Sequence, residues 1–269
     1  MLAETLPTTR RQNTRRNNRR HRNLSLSCIP RFSFRISRPA QQSAATPARL
    51  RNQVRNAYPD DILNKQKGER DSAQPDFWSQ RYASGRTPWK IDHVPHRLDA
   101  FIRSLRSGSN ILVPGCGEDY RAIEAFDRAG HRATAIDFSP FAVEHTKKRL
   151  SHLGDKIILG DFFSYPFDAG AFDAVYERTF LCSLPPRLSK NYSARVAQLL
   201  QPEGVLAGFF FYGEESDPPP HPLTELKALE IFGGRFDLLK TEAVADSLPI
   251  FAGKEKWQEW RLRSNTTIQ

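Results

Sequence analysis

Two glycines, Gly115 and Gly117, close the apolar run that opens the stretch ILVPGCGEDYRAIEAFDRAGHRATAIDFSP, and Asp137 stands twenty-two residues after the first of them. Glycine lets the backbone turn sharply and approach a ligand with no Cβ in the way. A carboxylate at that distance, at the end of the following apolar run, can accept hydrogen bonds from both hydroxyls of a ribose. A dinucleotide fingerprint would need a third glycine at position 120. Tyr120 occupies it, and its bulk opposes the close helix approach that a pyrophosphate requires.

A further apolar run ends in Gly160-Asp161-Phe162-Phe163. An acid there can accept from an adenine amino group while Phe162 packs on the ring. Each residue also has a plain reading: a glycine in such a turn is often only a turn, and Asp161 could merely cap a helix. Their fall at consecutive strand exits favours the joint reading, a ribose and an adenine without a pyrophosphate. S-adenosylmethionine presents that combination.

The elements that must position these residues follow from periodicity. PDFWSQRYASG and HRLDAFIRSL read as helices, NILVP as a strand, DYRAIEAFDRAG as a helix ending at Gly130, and RATAID as a strand. SPFAVEHTKKRLSHL reads as a helix capped by Ser139 with Pro140 at its first position. KIILGDFF is the third strand with its exit loop, AFDAVYE the fourth, RLSKNYSARVAQLL a helix, GVLAGFFFY the fifth strand and LTELKALEIFG a helix. RFDLLKTEAVA and EKWQEWRLR are two closing extended segments. Regular β-α alternation implies an α/β fold, a three-layer Rossmann-like domain of about seven strands, mostly parallel with an antiparallel C-terminal edge.

The formal net charge of +10 on 269 residues invites a nucleic-acid reading until it is located. Residues 1–70 hold 16 Lys or Arg against 4 Asp or Glu, whereas 71–269 hold 24 against 26. The basicity belongs to an Arg-rich extension over 1–70, which is expected to be disordered, and 71–269 forms the folded domain. An organellar leader, an RNA- or acid-binding arm and an over-long gene model all fit the extension. Three scattered cysteines, 28, 116 and 182, form neither a disulfide framework nor a metal motif, and His93 and His96 are separated by Pro95. A reducing, cytoplasmic setting is expected unless the extension acts as an organellar signal, with no bound metal, no membrane span and a monomeric state.

FWSQRYASGRTPWKIDHVP, the glycine stretch quoted above, FDAVYERTFLCSLPP and LPIFAGKEKWQEWRL together resemble the thiopurine S-methyltransferase family of class I S-adenosylmethionine-dependent methyltransferases, which includes thiol and halide methyltransferases. The resemblance covers about Asp76 to Leu262. It implies that Trp78, Tyr82 and Trp89 lid the cofactor, with tyrosine where the family has a second tryptophan. It places Gly115 against the methionine part, Asp137 on the ribose and Asp161-Phe162 on the adenine. Arg178 matches a position that contacts cofactor or substrate; its plain reading is a salt bridge with Glu177 or a neighbouring helix. The loop EESDPPPHPLT lacks the glycine of the family's GPP loop, which implies a differently shaped acceptor wall.

The expected reaction is direct in-line transfer of a methyl group from S-adenosylmethionine to a small soft nucleophile, a thiol first, with halides and metalloid anions as other acceptors. A thiolate is a good nucleophile near neutral pH, so no dedicated general base is required. Two alternatives remain: an RNA or protein methyltransferase guided by the basic arm, and a non-catalytic S-adenosylmethionine-binding sensor. Against the first, the stretch after the fourth strand reads Glu177-Arg178-Thr179-Phe180 and not Asn/Asp-Pro-Pro-Tyr.

Overall fold

Along NILVP, Ile111 and Val113 bury into one apolar cluster and Leu112 into another. That alternation requires a strand with a helical layer on each face. A computed structural model describes residues 71–264 and has this arrangement. The basic extension lies outside the described residues.

The strands are β1 (Asn110–Pro114), β2 (Arg132–Asp137), β3 (Ile157–Leu159), β4 (Phe172–Arg178), β5 (Leu200–Phe211), β6 (Phe236–Ala243) and β7 (Glu255–Leu262), in the sheet order β3-β2-β1-β4-β5-β7-β6. β1 pairs in parallel with β2 and β4, β2 with β3, and β4 with β5. β7 runs antiparallel between β5 and β6. The expected mostly parallel sheet with an antiparallel C-terminal edge is present. The order reverses at β1, and the crevice beyond the strand ends at such a point is where open α/β sheets hold ligands.

The helices are α1 (Pro75–Ala83), α2 (His96–Ser104), α3 (Tyr120–Arg128), α4 (Pro140–Arg149), α5 (Ser189–Leu199) and α6 (Glu225–Phe232). Leu98 and Phe101 of α2, Ile123 and Phe126 of α3 and Val143 of α4 pack on one face of the sheet. Tyr192 and Val196 of α5 and Ile231 and Phe232 of α6 pack on the other. Ser139 caps α4, accepting from Ala142 N, with Pro140 in its first turn. The expected run to Leu153 stops at Arg149, and a 3-10 turn (Ser151–Lys156) completes it. β3 is only three residues long, so Gly160 to Phe163 form its exit loop. Among the described residues no helix is long and apolar enough to cross a membrane.

Candidate active site

The chain leaves β1 through Gly115 at φ +56° and Gly117 at φ +51°, the left-handed region that strongly favours glycine. Space enforces the same choice. A Cβ on Gly115 would come within 2.1 Å of the Phe180 ring, and one on Gly117 within 2.4 Å of the Tyr82 hydroxyl.

Asp137, at the end of β2, faces this turn. Its Oδ2 accepts from Gly117 N and its Oδ1 from Ser139 N, each at 2.8 Å. The residue is 7% exposed. Burial pushes its carboxyl up to about 6, while the backbone N–H groups of Ser139, Gly117 and Phe138 pull it back. The carboxylate therefore orders the glycine loop from within and still borders the open crevice.

That crevice is a cavity of about 960 Å³, and Trp78, Tyr82, Trp89, Gly115, Asp137, Asp161 and Phe162 all line it. The three aromatics form a continuous wall: Trp78 and Trp89 meet edge to face at 5.6 Å between centroids, and Tyr82 and Trp89 at 6.1 Å. Trp78 is anchored by Nε1 donating to Ser72 O at 2.8 Å, and Tyr82 stacks on Phe141 of α4. Asp161 is exposed and turns its carboxylate into its own loop, accepting from Phe163 N at 3.1 Å and Ser164 Oγ at 2.8 Å. The helix that Asp161 could have capped does not form; the carboxylate caps a turn instead, at the cavity's edge. Phe162 is buried against Phe180 and Tyr192.

Gly117 and Arg178 line a smaller adjoining cavity of about 30 Å³, which shares Tyr82, Trp89 and Gly115 with the large one. Arg178 is 8% exposed. Nη1 donates to Trp89 O at 3.1 Å, and Nε is buried without a hydrogen-bond partner. The salt bridge to Glu177 that the sequence allows does not form. Strand alternation turns Glu177 away: it accepts from Phe180 N, Leu181 N and Tyr192 OH. Burial pushes its carboxyl up to about 7.

Periodicity does not reveal the remaining walls. Phe138, Phe180, Leu184, Pro219, Pro220, Ile250 and Phe251 also line the large cavity. Pro219 and Pro220 belong to the proline-rich loop that departs from the family pattern. Ile250 and Phe251 lie in the LPIFAGKE segment, where residue type alone suggests no role. Thr179, beside Phe180, has φ +61°, a strained conformation for a β-branched residue at a strand exit. The histidines of HVPH diverge, His93 toward Asp92 and His96 toward Asp246, and among the described residues no cluster could hold a metal ion.

The sheet order, the glycine turn and the acid at the end of β2 define a class I S-adenosylmethionine-dependent methyltransferase. A family model described as thiopurine S-methyltransferase matches residues 73–266, and the chain belongs to that family. Among curated relatives, a probable thiol methyltransferase 2 of Arabidopsis thaliana is 29% identical over 154 residues, covering 55% of this chain and 67% of its own length. A thiopurine S-methyltransferase of Vibrio cholerae is 28% identical over 179 residues, covering 60% and 81%. The fold is shared with Burkholderia thailandensis 1,6-didemethyltoxoflavin-N1-methyltransferase, solved with 1,6-didemethyltoxoflavin and S-adenosylhomocysteine bound: TM-score 0.59, 17% identity, 84% of this chain and 94% of that one. S-adenosylmethionine is the cofactor. The lining suits such a group: a buried carboxylate able to accept from hydroxyl donors, and an aromatic wall whose ring quadrupoles attract a cation.

Proposed function

We propose that the protein methylates the sulfur of a small thiol by direct in-line displacement. The observation that carries this reading is one large cavity lined both by the aromatic wall of Trp78, Tyr82 and Trp89 and by the buried carboxylate of Asp137. In this reading Asp137 accepts from the ribose hydroxyls with the lone pairs its backbone bonds leave free. Asp161 and Phe162 hold the adenine, and the Gly115 turn leaves room for the methionine part. Arg178, with its unpartnered Nε beside that turn, faces the methionine end. When bound, S-adenosylmethionine supplies an activated methyl group, and the chain's contribution is alignment and exclusion of water.

Names of relatives support a thiol acceptor, and so does the character of the walls. No histidine is among the described residues lining the cavity, which suits an acceptor that ionises near neutral pH. Burial pushes the thiols of Cys116 and Cys182 well above their ordinary range, so neither competes as a nucleophile. An amine acceptor on RNA or protein is disfavoured because the Glu177 carboxylate near the end of β4 is committed to Phe180 N, Leu181 N and the Tyr192 hydroxyl of α5.

The test is steady-state turnover of the full chain with S-adenosylmethionine against neutral thiols, iodide, thiocyanate, selenite, tellurite and RNA. Thiols are expected to give the highest kcat/KM. Preference for an anion or RNA would overturn the thiol assignment, and cofactor binding without turnover on any acceptor would favour a sensor.

A further inference from the structure

Trp89, part of the cavity wall, is held on both sides of its own peptide. Its carbonyl oxygen takes the bond from Arg178, and the next residue, Lys90, places Nζ 3.1 Å from Oε2 of Glu118. Glu118 follows Gly117 in the loop between β1 and α3. Its other carboxylate oxygen, Oε1, lies 3.0 Å from Nδ1 of His145 on α4, off the line of a hydrogen bond. Three elements around the cavity therefore converge on one carboxylate: the segment after α1, the glycine loop and α4.

The burial is lopsided. Glu118's side chain is 9% exposed and Lys90's 41%. A carboxylate with so little water is costly without a cation beside it, whereas a lysine at that exposure could extend into solvent on its flexible stem. The pairing therefore draws the lysine, and the Trp89 peptide with it, onto the loop. The loop itself is ordered: Gly117 donates its N–H to Asp137 and its carbonyl accepts from Thr146 Oγ1 at 3.0 Å.

We propose that Glu118 is a positioning residue that holds the Trp89 wall against the glycine loop through Lys90. The proposal rests on the reading of the large cavity as the cofactor site. Glu118 acts through Trp89, so its effect falls on retention of the cofactor more than on the transfer step.

The test uses the full chain, with cofactor binding followed by tryptophan fluorescence and calorimetry beside steady-state kinetics. Lys90→Met and Glu118→Gln are expected to raise the cofactor Kd about threefold, the size usual for a partly exposed pair. Lys90→Met should raise KM for the cofactor similarly while kcat at saturation stays within about twofold. Because a partly buried pair is screened less than an exposed one, raising salt from about 50 to 500 mM should weaken wild-type binding by only part of that factor, and the variants' binding less still. The double reversal Lys90→Glu with Glu118→Lys should bind more tightly than either single reversal, which a general loss of packing would not produce. Equal Kd values for wild type and the two neutralising variants, or a double reversal no better than the singles, would overturn the proposal. Failure of the wild type to bind the cofactor would instead overturn the cofactor-site reading beneath it.

Discussion

The carboxylate of Asp137 and the backbone N–H of Gly117 lie 2.8 Å apart, so the acid at the end of β2 also holds the turn at the end of β1. The two features most legible in the sequence as a ligand site are thus a single hydrogen-bonded unit. Losing the carboxylate should remove a ligand contact and loosen the loop together. Asp137→Ala is expected to weaken S-adenosylmethionine binding by about 1.5–3 kcal/mol, the range for a hydrogen bond to a charged group, read by calorimetry. Unchanged affinity would remove Asp137 from the ribose.

The same carboxyl sets a pH dependence for binding. In the cofactor-free protein it titrates at about 6, and hydroxyl donors favour its ionised form. Binding therefore releases a proton below that value, and affinity should rise as pH increases from about 5 to 7 and then level off. Asp137→Asn should flatten the profile.

Stability should run the other way. Glu177 titrates at about 7 in the fold, against an ordinary value of 4.5, so the folded state binds the proton more tightly than the unfolded chain. Its contribution is greatest below about 4.5 and is lost as pH rises toward 7, at about 1.4 kcal/mol for each pH unit that separates the folded and unfolded titrations. In Glu177→Gln, whose carboxamide oxygen can keep the bonds from Phe180 N and Leu181 N, the difference in urea midpoint between pH 5 and 7.5 should shrink. An unchanged difference would place the titration elsewhere.

Gly117→Ala meets two obstacles, a backbone at φ +51° and the Tyr82 hydroxyl 2.4 Å from the new methyl group. Tyr82→Phe removes that oxygen, and the next contact is the ring carbon Cζ at 3.3 Å. The double variant should recover part of the stability lost by Gly117→Ala alone, leaving the backbone strain of about 1–2 kcal/mol. A strictly additive loss in thermal unfolding would mean that Tyr82 does not pack on the loop.

Trp89→Ala should raise the cofactor Kd, because it removes the ring that joins Trp78 to Tyr82. Tryptophan quenching on addition of cofactor should diminish with it. Quenching equal to wild type would argue against the aromatic wall.

The sheet was legible because β-α alternation and two-faced burial leave strong periodic marks, as in NILVP between two helical layers. The floor of the site was legible for a related reason, since glycines and acids at strand exits stand at fixed offsets from those marks. The upper walls were legible only in part: the resemblance marked the proline-rich loop around Pro219, whereas Phe180 and Ile250 reach the cavity from loops whose paths depend on distant packing. Asp161 shows the intermediate case: its bond to Phe163 N is local and foreseeable from residue type, whereas its place at the cavity's edge depends on the tertiary fold. The Lys90–Glu118 pair spans 28 positions and leaves no local pattern at all.

The central claim, methyl transfer to sulfur in this cavity, is tested most directly by incubating the full chain with methyl-labelled S-adenosylmethionine and a neutral thiol, then quantifying both products. One labelled thioether per S-adenosylhomocysteine, lost in Asp137→Ala at limiting cofactor, is the expected result. Label on oxygen, nitrogen or RNA, or no S-adenosylhomocysteine despite cofactor binding, would contradict it.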